Sequence, residues 1–275
     1  MTTPKFSVII CSIEAAKFAR VSERYKTLLA GHPFEIIGIH DARSLAEGYN
    51  RGIDQSDGDI LVFSHDDVLI LDSGFADKIV DRLARFDLLG FVGTSHLINA
   101  TWFGAGLPHL HGVVAHAKPR QTQLQIDIVS VDGWPVIPGI KAVDGLCFIT
   151  TRTLAETVRF DAEHFDGFHL YDIDFSFSAH LAGYRLAVCC DIPIIHESAG
   201  QFDQKHSRYA EIFMDKYQSQ LDAHDGRPRP STPTWRGALF KDPPALVRAW
   251  QRDLLQRSTL AAWRRTGIDA QPSPF

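Results

Sequence analysis

The sequence predicts an α/β fold in which helices cover both faces of a mostly parallel central sheet. Over residues 6–92, short apolar runs alternate four times with helical patterns. This alternation indicates right-handed crossovers between neighbouring parallel strands. The third apolar run, 60–63, leads directly into His65, Asp66 and Asp67. Because ligands of such sheets bind at the carboxyl ends of the strands, this turn is a candidate site.

The elements of the first half follow from their apolar spacing. Strands are predicted at the short apolar runs 6–11, 34–39, 60–63 and 88–92. Helices are predicted where apolar side chains recur at helical spacing, within 21–29, 44–53 and 75–86. Ser44 is an expected helix cap, because Glu47 follows it three residues later.

The regular pattern stops after Gly93 and returns at Val143. Residues 94–142 are rich in Gly, Pro, His and Trp, which is typical of variable binding loops. We expect short strands there over 112–117 and 124–131. Beyond this segment we predict a strand over 143–150, a helix over 173–183, a strand over 186–190 and a helix over 207–221.

Composition narrows the class of protein. The 275 residues are 45% hydrophobic and 22% charged with a net charge of -5, which argues against a nucleic-acid-binding protein. No apolar run approaches the roughly 20 residues that span a bilayer, and we see no secretion signal. The four cysteines lack metal-ligand spacing and are expected to be buried thiols in a reducing compartment. A cytoplasmic protein is expected.

The last fifty residues differ from the rest of the chain. Residues 225–244 are Pro-rich and are interpreted as a linker, and the tail from 241 holds six Lys or Arg against three Asp. Leu246, Trp250, Leu254 and Trp263 are spaced for an amphipathic helix, a C-terminal extension of the fold. The helix would pack on the protein's own surface or on a second copy of the chain; peripheral contact with the inner face of a membrane is the alternative.

Three polar clusters could carry chemistry. His65, Asp66 and Asp67 either cap the next helix or bind a hard divalent cation, with Asp67 as the first choice of ligand. Asp172 and Asp174 precede an apolar helical face. They are either caps or, for one of them, a general base that the helix N-terminus keeps ionised.

The third cluster is His196, at the end of a late apolar run. It is either a structural histidine or a residue brought to the same sheet edge as Asp67.

Taken together, the order of these motifs resembles the family 2 glycosyltransferases of the GT-A fold, including bacterial glycosyltransferase-like proteins. That family has a strand followed by Asp, then Ala-Arg-Asn-x-Gly, Gly-Glu-Tyr, a strand with Asp-x-Asp, Glu-Asp-x-Asp and finally His. The chain carries corresponding features at Asp41, Asn50-Arg-Gly, Asp57-Gly-Asp, Asp66-Asp67, Asp144-Gly, Asp172-x-Asp and His196. The likeness covers about residues 6–217, where Phe213-x-x-Lys-Tyr217 is similar to the closing Phe-x-x-Lys-Trp.

The resemblance implies an inverting transfer of a sugar from a nucleotide-diphosphate donor to a hydroxyl acceptor, with Mn²⁺ or Mg²⁺ on the diphosphate. Asp172 would be the general base. The donor would contact Cys11, Ser12, Ile13, Asp41, Asn50 and Asp66. The metal would be held by Asp67 and His196, with His65 beside them. A role in surface-polysaccharide synthesis fits this resemblance.

The resemblance also assigns roles to segments. Residues 1–93 would be the nucleotide-sugar half of a domain spanning 1–224, 94–142 its acceptor region, and 143–224 the catalytic-base and closing segment. Acceptor-side candidates are Trp102, Trp134, Asp144, Tyr171, His109 and His111, although the Trp and His side chains could equally be packing.

Two positions depart from the family pattern. His65 stands where the family usually has the first Asp, which puts metal affinity and metal choice in question. Tyr171 stands where it has Glu before the base, which affects acceptor positioning. These departures motivate one alternative, a degenerate protein that binds a nucleotide or glycan without turnover. A nucleotidyltransferase is disfavoured because Cys11-Ser-Ile-Glu-Ala-Ala lacks a glycine-rich phosphate loop.

Overall fold

A computed structural model describes residues 3–117, 124–128, 134–198, 204–224, 243–252 and 256. In chain order, these residues form β1 (Phe6–Cys11), α1 (Ala15–Leu28), β2 (Phe34–Ile39), α2 (Leu45–Gln55), β3 (Ile60–Ser64), β4 (Val68–Ile70), α3 (Phe75–Leu83), β5 (Leu88–Gly90), β6 (Val92–Thr94), β7 (Leu110–Ala117), β8 (Leu124–Ile128), β9 (Val136–Ile140), β10 (Ala142–Val143), β11 (Cys147–Thr151), α4 (Arg152–Val158), α5 (Tyr171–Leu181), β12 (Leu186–Cys189), β13 (Ile194–His196) and α6 (Gln204–Tyr217).

The central sheet of the described chain has seven strands in the order β2-β1-β3-β11-β5-β12-β9. The first three strands are parallel, as the alternating pattern predicts. Their apolar side chains are buried along almost the whole of β1 and β3. Strands buried on both faces of a sheet are expected to be continuous apolar runs, which explains why the sequence identified them.

The sheet as a whole is mixed but mostly parallel, since β5 and β12 run in the same direction as the first three strands. β11 lies between β3 and β5 and runs antiparallel to both, and β9 is antiparallel to β12. The chain between β5 and β11 adds β6, β7, β8 and β10 to a second sheet and β9 to the edge of the central one before it returns as β11. The α/β sandwich with a mostly parallel central sheet is confirmed, and the antiparallel strands β11 and β9 are the detail that the sequence analysis did not predict.

The second sheet has the order β10-β6-β7-β13-β4, with β8 paired to β7. β4 follows β3 after only three residues, so the chain passes from one sheet to the other at residues 65–67. β13 pairs antiparallel with β4, and His196 lies opposite Val68. This pairing brings the late histidine next to the turn after β3.

Aromatic packing fixes α2 and α5 on the central sheet. Phe160 stacks on Phe175 with ring centroids 4.2 Å apart, and Phe63 and Tyr49 contact Phe160 at 5.1 and 5.4 Å. Each buried aromatic of this kind contributes roughly 1.5–3 kcal/mol through apolar burial. The cluster therefore holds the N-terminal end of α5 firmly beside the end of β3.

Some elements escaped the sequence analysis for identifiable reasons. β9 contains Pro138 and Gly139, which are confined to edge strands and irregular positions, and it lies at the edge of the sheet with a register shift. The helix predicted over 21–29 begins earlier, at Ala15, because its first turns are largely exposed and carry no apolar stripe. The strand predicted over 124–131 is observed to Ile128, and 129–131 lie outside the described residues.

Part of the basic tail packs on the protein itself. Residues 243–252 are helical, Leu246 and Trp250 are buried in the main core, and the Trp250 indole donates to the carbonyl of Cys190 at 2.8 Å. Leu254 and Trp263 lie outside the described residues. Within the described chain, no helix combines the length and apolar character that crossing a membrane would require.

Candidate active site

The turn after β3 presents three polar side chains at the junction of the two sheets. The His65 amide donates to the carbonyl of Leu146 at 3.0 Å, which ties the turn to the start of β11. The Asp67 carbonyl accepts from the amide of Glu197 at 3.0 Å, which ties it to the end of β13. Backbone bonds on both sides thus fix the turn, as a preorganised site requires.

His65, Asp67 and His196 converge at this junction. Oδ1 of Asp67 lies 3.3 Å from Nε2 of His196, and Nδ1 of His65 lies 3.4 Å from the same nitrogen. The three candidate ligand atoms all lie within 4.8 Å of one another. Two ligands about 2.1 Å from one ion, at roughly octahedral or tetrahedral angles, are about 3.0–3.4 Å apart. The cluster fits a divalent metal.

The electrostatics of the cluster favour a bound cation. Burial alone would raise the pKa of Asp67, but the hydrogen bond and charge of His196 outweigh it and hold that pKa well below its usual value. Burial opposes the charged form of His196, yet Asp67 raises its pKa. Burial and the neighbouring His196 lower the pKa of His65, so its imidazole is neutral at pH 7. A metal would displace the proton of His196 and take over its role as partner of Asp67.

Tyr171, the first residue of α5, contacts His65 of the His65–Asp67–His196 cluster. Its hydroxyl oxygen lies 2.7 Å from Nε2 of His65 and donates to the carbonyl of Gly145 at 3.2 Å. Both contacts are satisfied when Nε2–H of His65 donates to Tyr171. Nδ1 then carries the lone pair and faces His196, which is the tautomer that a metal ligand needs.

Asp172 follows Tyr171 and lies largely buried next to Asp144. Burial and the charge of Asp144 raise the pKa of Asp172 to about 7, although backbone N–H groups of Ile173, Asp172 and Gly145 oppose the rise. The expectation that the helix N-terminus keeps this carboxylate below its usual pKa is therefore wrong. Loss of water and a neighbouring negative charge outweigh the helix terminus here.

The backbone before α5 and the last turn of α6 both position Asp172. Leu170 adopts a left-handed conformation (φ 63°) immediately before α5, an uncommon state for a buried leucine that reverses the direction of the chain. Asp174 accepts from Lys216 at 2.8 Å and from Tyr217 at 2.7 Å. The closing Phe-x-x-Lys-Tyr segment thus clamps α5 through Asp174, which assigns this second carboxylate a structural role.

The sequence matches the profile of the family described as "Glycosyltransferase like family" over residues 7–217. That span contains nearly all of both sheets, the His65–Asp67–His196 cluster and Asp172. The chain belongs to this family.

Comparison with solved structures gives low identities to other glycosyltransferases. One is the mannosyltransferase PcManGT from Pyrobaculum calidifontis in complex with GDP-Man and Mn²⁺: 12% identity, TM-score 0.47, covering 99% of this chain and 78% of that one. Another is GalNAc-T7 with UDP, GalNAc and Mn²⁺: 12% identity, TM-score 0.47, covering 97% of this chain and 56% of that one. No match was found among curated proteins.

Two of the residues predicted to contact a donor, Ser12 and Asp66, lie next to each other. The Ser12 hydroxyl donates to Oδ2 of Asp66 at 2.6 Å, so the ends of β1 and β3 are joined at the turn. The Ser12 carbonyl lies 2.8 Å from Nδ1 of His40. Ile13, next along the chain, is 87% exposed. An exposed apolar side chain beside this polar pair is available to contact a nucleoside.

Three other donor-side residues are already engaged. Asn50 exchanges two hydrogen bonds with the backbone of Phe160, so its amide joins α2 to the segment before α5. Asp41 is exposed and accepts from Arg51 at 2.7 Å. Burial raises the pKa of the Cys11 thiol to about 12, which leaves it protonated and unreactive. Direct donor contact remains a prediction for each of them.

On the acceptor side, the structure joins Trp102 to Asp144. The indole N–H of Trp102 donates to Oδ2 of Asp144 at 2.9 Å, and the Leu146 amide donates to Oδ1 at 2.9 Å. Trp102 thereby links the 94–142 segment to Asp144, whose negative charge raises the pKa of Asp172. It is half-buried, so it retains a face for an acceptor.

The remaining acceptor candidates lie in separate surroundings. His111 is buried, with Nε2 3.0 Å from the Ser95 hydroxyl, and the ring of His109 stacks on His96 at 4.6 Å. Trp134 is 38% exposed. These contacts favour packing for the two histidines, and ligand contact by Trp134 remains a prediction.

Two residues near the cluster were missed by the sequence analysis. The Ser198 hydroxyl lies 3.2 Å from Nε2 of His196. His116 lies beside His196 in the pairing of β7 with β13, with ring centroids 5.9 Å apart. Only the position of His116 near the end of a predicted strand could have identified it, because β7 and β13 are distant in sequence.

Proposed function

We propose that the protein is an inverting, metal-dependent glycosyltransferase that moves a sugar from a nucleoside-diphosphate donor to a hydroxyl acceptor. One observation carries the proposal: the cluster His65–Asp67–His196 and the carboxylate of Asp172 are joined through Tyr171, at the carboxyl end of β3. A diphosphate-binding metal and a base for the acceptor are the two groups that this chemistry requires.

His65, Asp67 and His196 would hold the metal, which when bound supplies positive charge to the departing nucleoside diphosphate. Two imidazoles and one carboxylate form a donor set that suits Mn²⁺ better than Mg²⁺, because Mg²⁺ prefers oxygen ligands and retains water. Mn²⁺ is therefore the preferred ion. Family membership and the spacing of the three ligand atoms support this choice.

Asp172 would take the proton of the acceptor hydroxyl. The acceptor oxygen then bonds to the anomeric carbon while the bond from that carbon to the diphosphate oxygen breaks, and the electron pair leaves with the diphosphate. A base with a pKa of about 7 is well matched to this step at neutral pH, since proton affinity and the ionised fraction are both substantial.

We expect inversion because a single carboxylate, Asp172, serves as the base for direct attack. Direct attack by the acceptor on the face opposite the leaving group inverts the anomeric centre, and it needs a single base. Asp144, the carboxylate beside Asp172, has both oxygens occupied by Trp102 and Leu146. We assign the proton transfer to Asp172, because its raised pKa suits a base at neutral pH.

The test compares the parent with Asp172→Asn, using sugar nucleotides with Mn²⁺, Mg²⁺ or chelator and recording transfer and hydrolysis. Asn cannot accept the proton, so we expect a loss of about 10²–10⁴-fold in rate with metal-dependent donor binding retained. The anomeric configuration of the product, read by NMR, should be opposite to that of the donor. Equal activity in the variant removes Asp172 from the mechanism.

The alternative is a protein that binds a nucleotide or glycan without turnover. His65 and Tyr171, which replace the carboxylates of the family pattern, are the observation that favours it. Metal-dependent nucleotide binding with no transfer to a broad panel of acceptors, in parent and Asp172→Asn alike, would support this alternative.

A further inference from the structure

A cleft of about 370 Å³ opens beside the loop that leads into Asp172. Three parts of the chain form its walls: Arg43 just before α2, the loop 166–169, and the first turns of α6 with Lys205, Arg208 and Tyr209. The cleft shares no residue with the metal cluster or with the donor positions at the ends of β1 and β3. It is a separate concave surface next to the loop that precedes the proposed base.

Positive charge dominates this cleft. Arg43, Lys205 and Arg208 line it together with one carboxylate, Asp166. Lys205 and Arg208 are exposed on α6, whereas Asp166 already accepts from the hydroxyl of Tyr209 at 2.8 Å. The whole chain carries a net charge of -5, so the positive excess is local. A concave basic surface raises the local concentration of anions.

Glu47 reduces the positive charge at the Arg43 end of the cleft. Glu47 lies 3.7 Å from Arg43 and 3.4 Å from Arg51, and Arg51 in turn pairs with Asp41. Arg43 is 84% exposed, so its pairing is screened by water. The guanidinium remains able to turn towards an anion, and guanidinium groups bind phosphate or carboxylate through two parallel hydrogen bonds.

An apolar surface completes the cleft. Phe168 is 60% exposed and lines the cleft. Gly167 brings the loop so close to Tyr209 that a Cβ there would come within 2.5 Å of the phenol oxygen. An aromatic ring beside convergent charged groups is the arrangement of a small-molecule site, and the ring can pack against the C–H face of a sugar.

The cleft lies close to the proposed base along the chain. Phe168 precedes Asp172 by four residues, so their Cα atoms are at most about 14 Å apart. Between them, Leu170 takes the left-handed conformation that turns the chain into α5. One acceptor molecule can therefore contact the loop and place a hydroxyl near Asp172.

We propose that this cleft binds an anionic group of the acceptor, a phosphate or carboxylate carried on a sugar, and selects charged over neutral acceptors. The assignment of the ligand as acceptor rests on the proposed transfer reaction. Arg43, Lys205 and Arg208 recognise the charge, and Phe168 packs on the sugar.

Calorimetric titration with Mn²⁺ present tests the proposal with three matched probes: glucose 6-phosphate, glucuronate and glucose. We expect at least one charged probe to bind the parent and glucose to bind at least tenfold more weakly. The double variant Lys205→Ala/Arg208→Ala should weaken the charged probe by about tenfold or more, and added salt should weaken it further in the parent. Both sites are exposed on a helix that tolerates Ala. Arg85→Ala, an exposed arginine at the end of α3, is the control.

Three outcomes overturn the proposal: charged and neutral probes that bind alike or not at all, charged binding that the double variant leaves unchanged, or displacement of the charged probe by a nucleoside diphosphate in chelator. The last result would assign the cleft to the donor's phosphates. Metal-dependent nucleotide binding, measured on the same samples, reports separately on the proposed transfer. Its absence would remove the reaction while the charge selectivity of the cleft is still decided by the probes.

Discussion

The hydroxyl oxygen of Tyr171 lies 2.7 Å from Nε2 of His65, although the two residues are 106 positions apart in the chain. These are the same two positions at which the sequence departs from the family pattern. The structure shows that the departures are partners: an imidazole at the end of β3 and a phenol at the start of α5 replace two carboxylates. Two carboxylates placed this close would repel each other, whereas a tyrosine and a histidine share a hydrogen bond.

Tyr171→Phe should weaken metal binding without unfolding the protein. Removal of the hydroxyl releases Nε2 of His65, so the tautomer and orientation of that ligand are no longer fixed. Loss of such an outer partner costs about 10–100-fold in metal affinity. Titration of Mn²⁺ by calorimetry measures the change, and Tyr184→Phe, in the turn before β12, is the control. Equal Mn²⁺ affinity in Tyr171→Phe and the parent would show that His65 is not a ligand.

His65→Asp should change metal preference rather than abolish metal binding. The substitution replaces a nitrogen ligand by oxygen, which suits Mg²⁺. We expect the ratio of nucleotide affinities in Mg²⁺ and Mn²⁺ to move towards Mg²⁺. Thermal shift with each ion and a nucleoside diphosphate provides the measurement, because a bound ligand raises the melting temperature by mass action. An unchanged ratio would place the ion away from His65.

The pH profile of transfer should reflect the charge of Asp144. With a pKa of about 7, Asp172 is half protonated near neutral pH, so activity should rise with pH through this region. Asp144→Asn removes a neighbouring negative charge, so the pKa of Asp172 should fall and the acid limb of the profile should move to lower pH. Trp102→Phe keeps the charge of Asp144 and removes one hydrogen bond. It should leave the limb close to that of the parent, and a common shift in both variants would contradict the electrostatic account.

Asp172→Asn should stabilise the protein at alkaline pH. The pKa of Asp172 is raised in the folded state, from 3.8 to about 7, so the native protein binds more protons than the unfolded chain between these values. Stability therefore falls as pH rises through this window. The variant lacks this penalty, and its advantage should be about 4 kcal/mol at pH 8 and become small near pH 4. Urea unfolding at both pH values gives the difference.

Asp161→Asn is a control of opposite sign. Burial opposes ionisation of Asp161, but Lys216 and His164 lower its pKa to about 2. A depressed pKa contributes stability above the unfolded value, and this stability is lost as the pH falls. Asp161→Asn should thus be less stable than the parent at neutral pH. A gain in both variants would indicate a general effect of lost negative charge.

Local apolar patterns were sufficient to predict the first half of the fold. β1 and β3 are buried continuous apolar runs, β2 is a partly buried one, and the polar residues after β3 were correctly expected at a strand end. For His196, which ends a late apolar run, a position at the same edge was one of two alternatives, and the structure shows it beside Asp67. Burial determines these features within a few residues of sequence, so they can be inferred without knowledge of distant contacts.

Long-range pairing decided what the sequence analysis did not predict. The antiparallel insertion of β11 between β3 and β5 depends on where a fifty-residue excursion returns. The pKa of Asp172 depends on Asp144, which is near in space because α5 packs on the sheet. The contact of Tyr171 with His65 has the same origin. None of these facts leaves a periodic signal in the chain.

The chain changes sheets between β3 and β4, and the proposed ligands lie on both sides of that crossing. His65 and Asp67 belong to the three-residue connection, while His196 closes the second sheet. An ion bound there would hold the two sheets together at this point, in addition to the other short connections by which the chain passes between them. We expect the amides of β4 and β13 to exchange hydrogen more slowly when Mn²⁺ is present, while those of β1 keep their rate. The metal would then make the junction of the two sheets more rigid where the donor is proposed to bind.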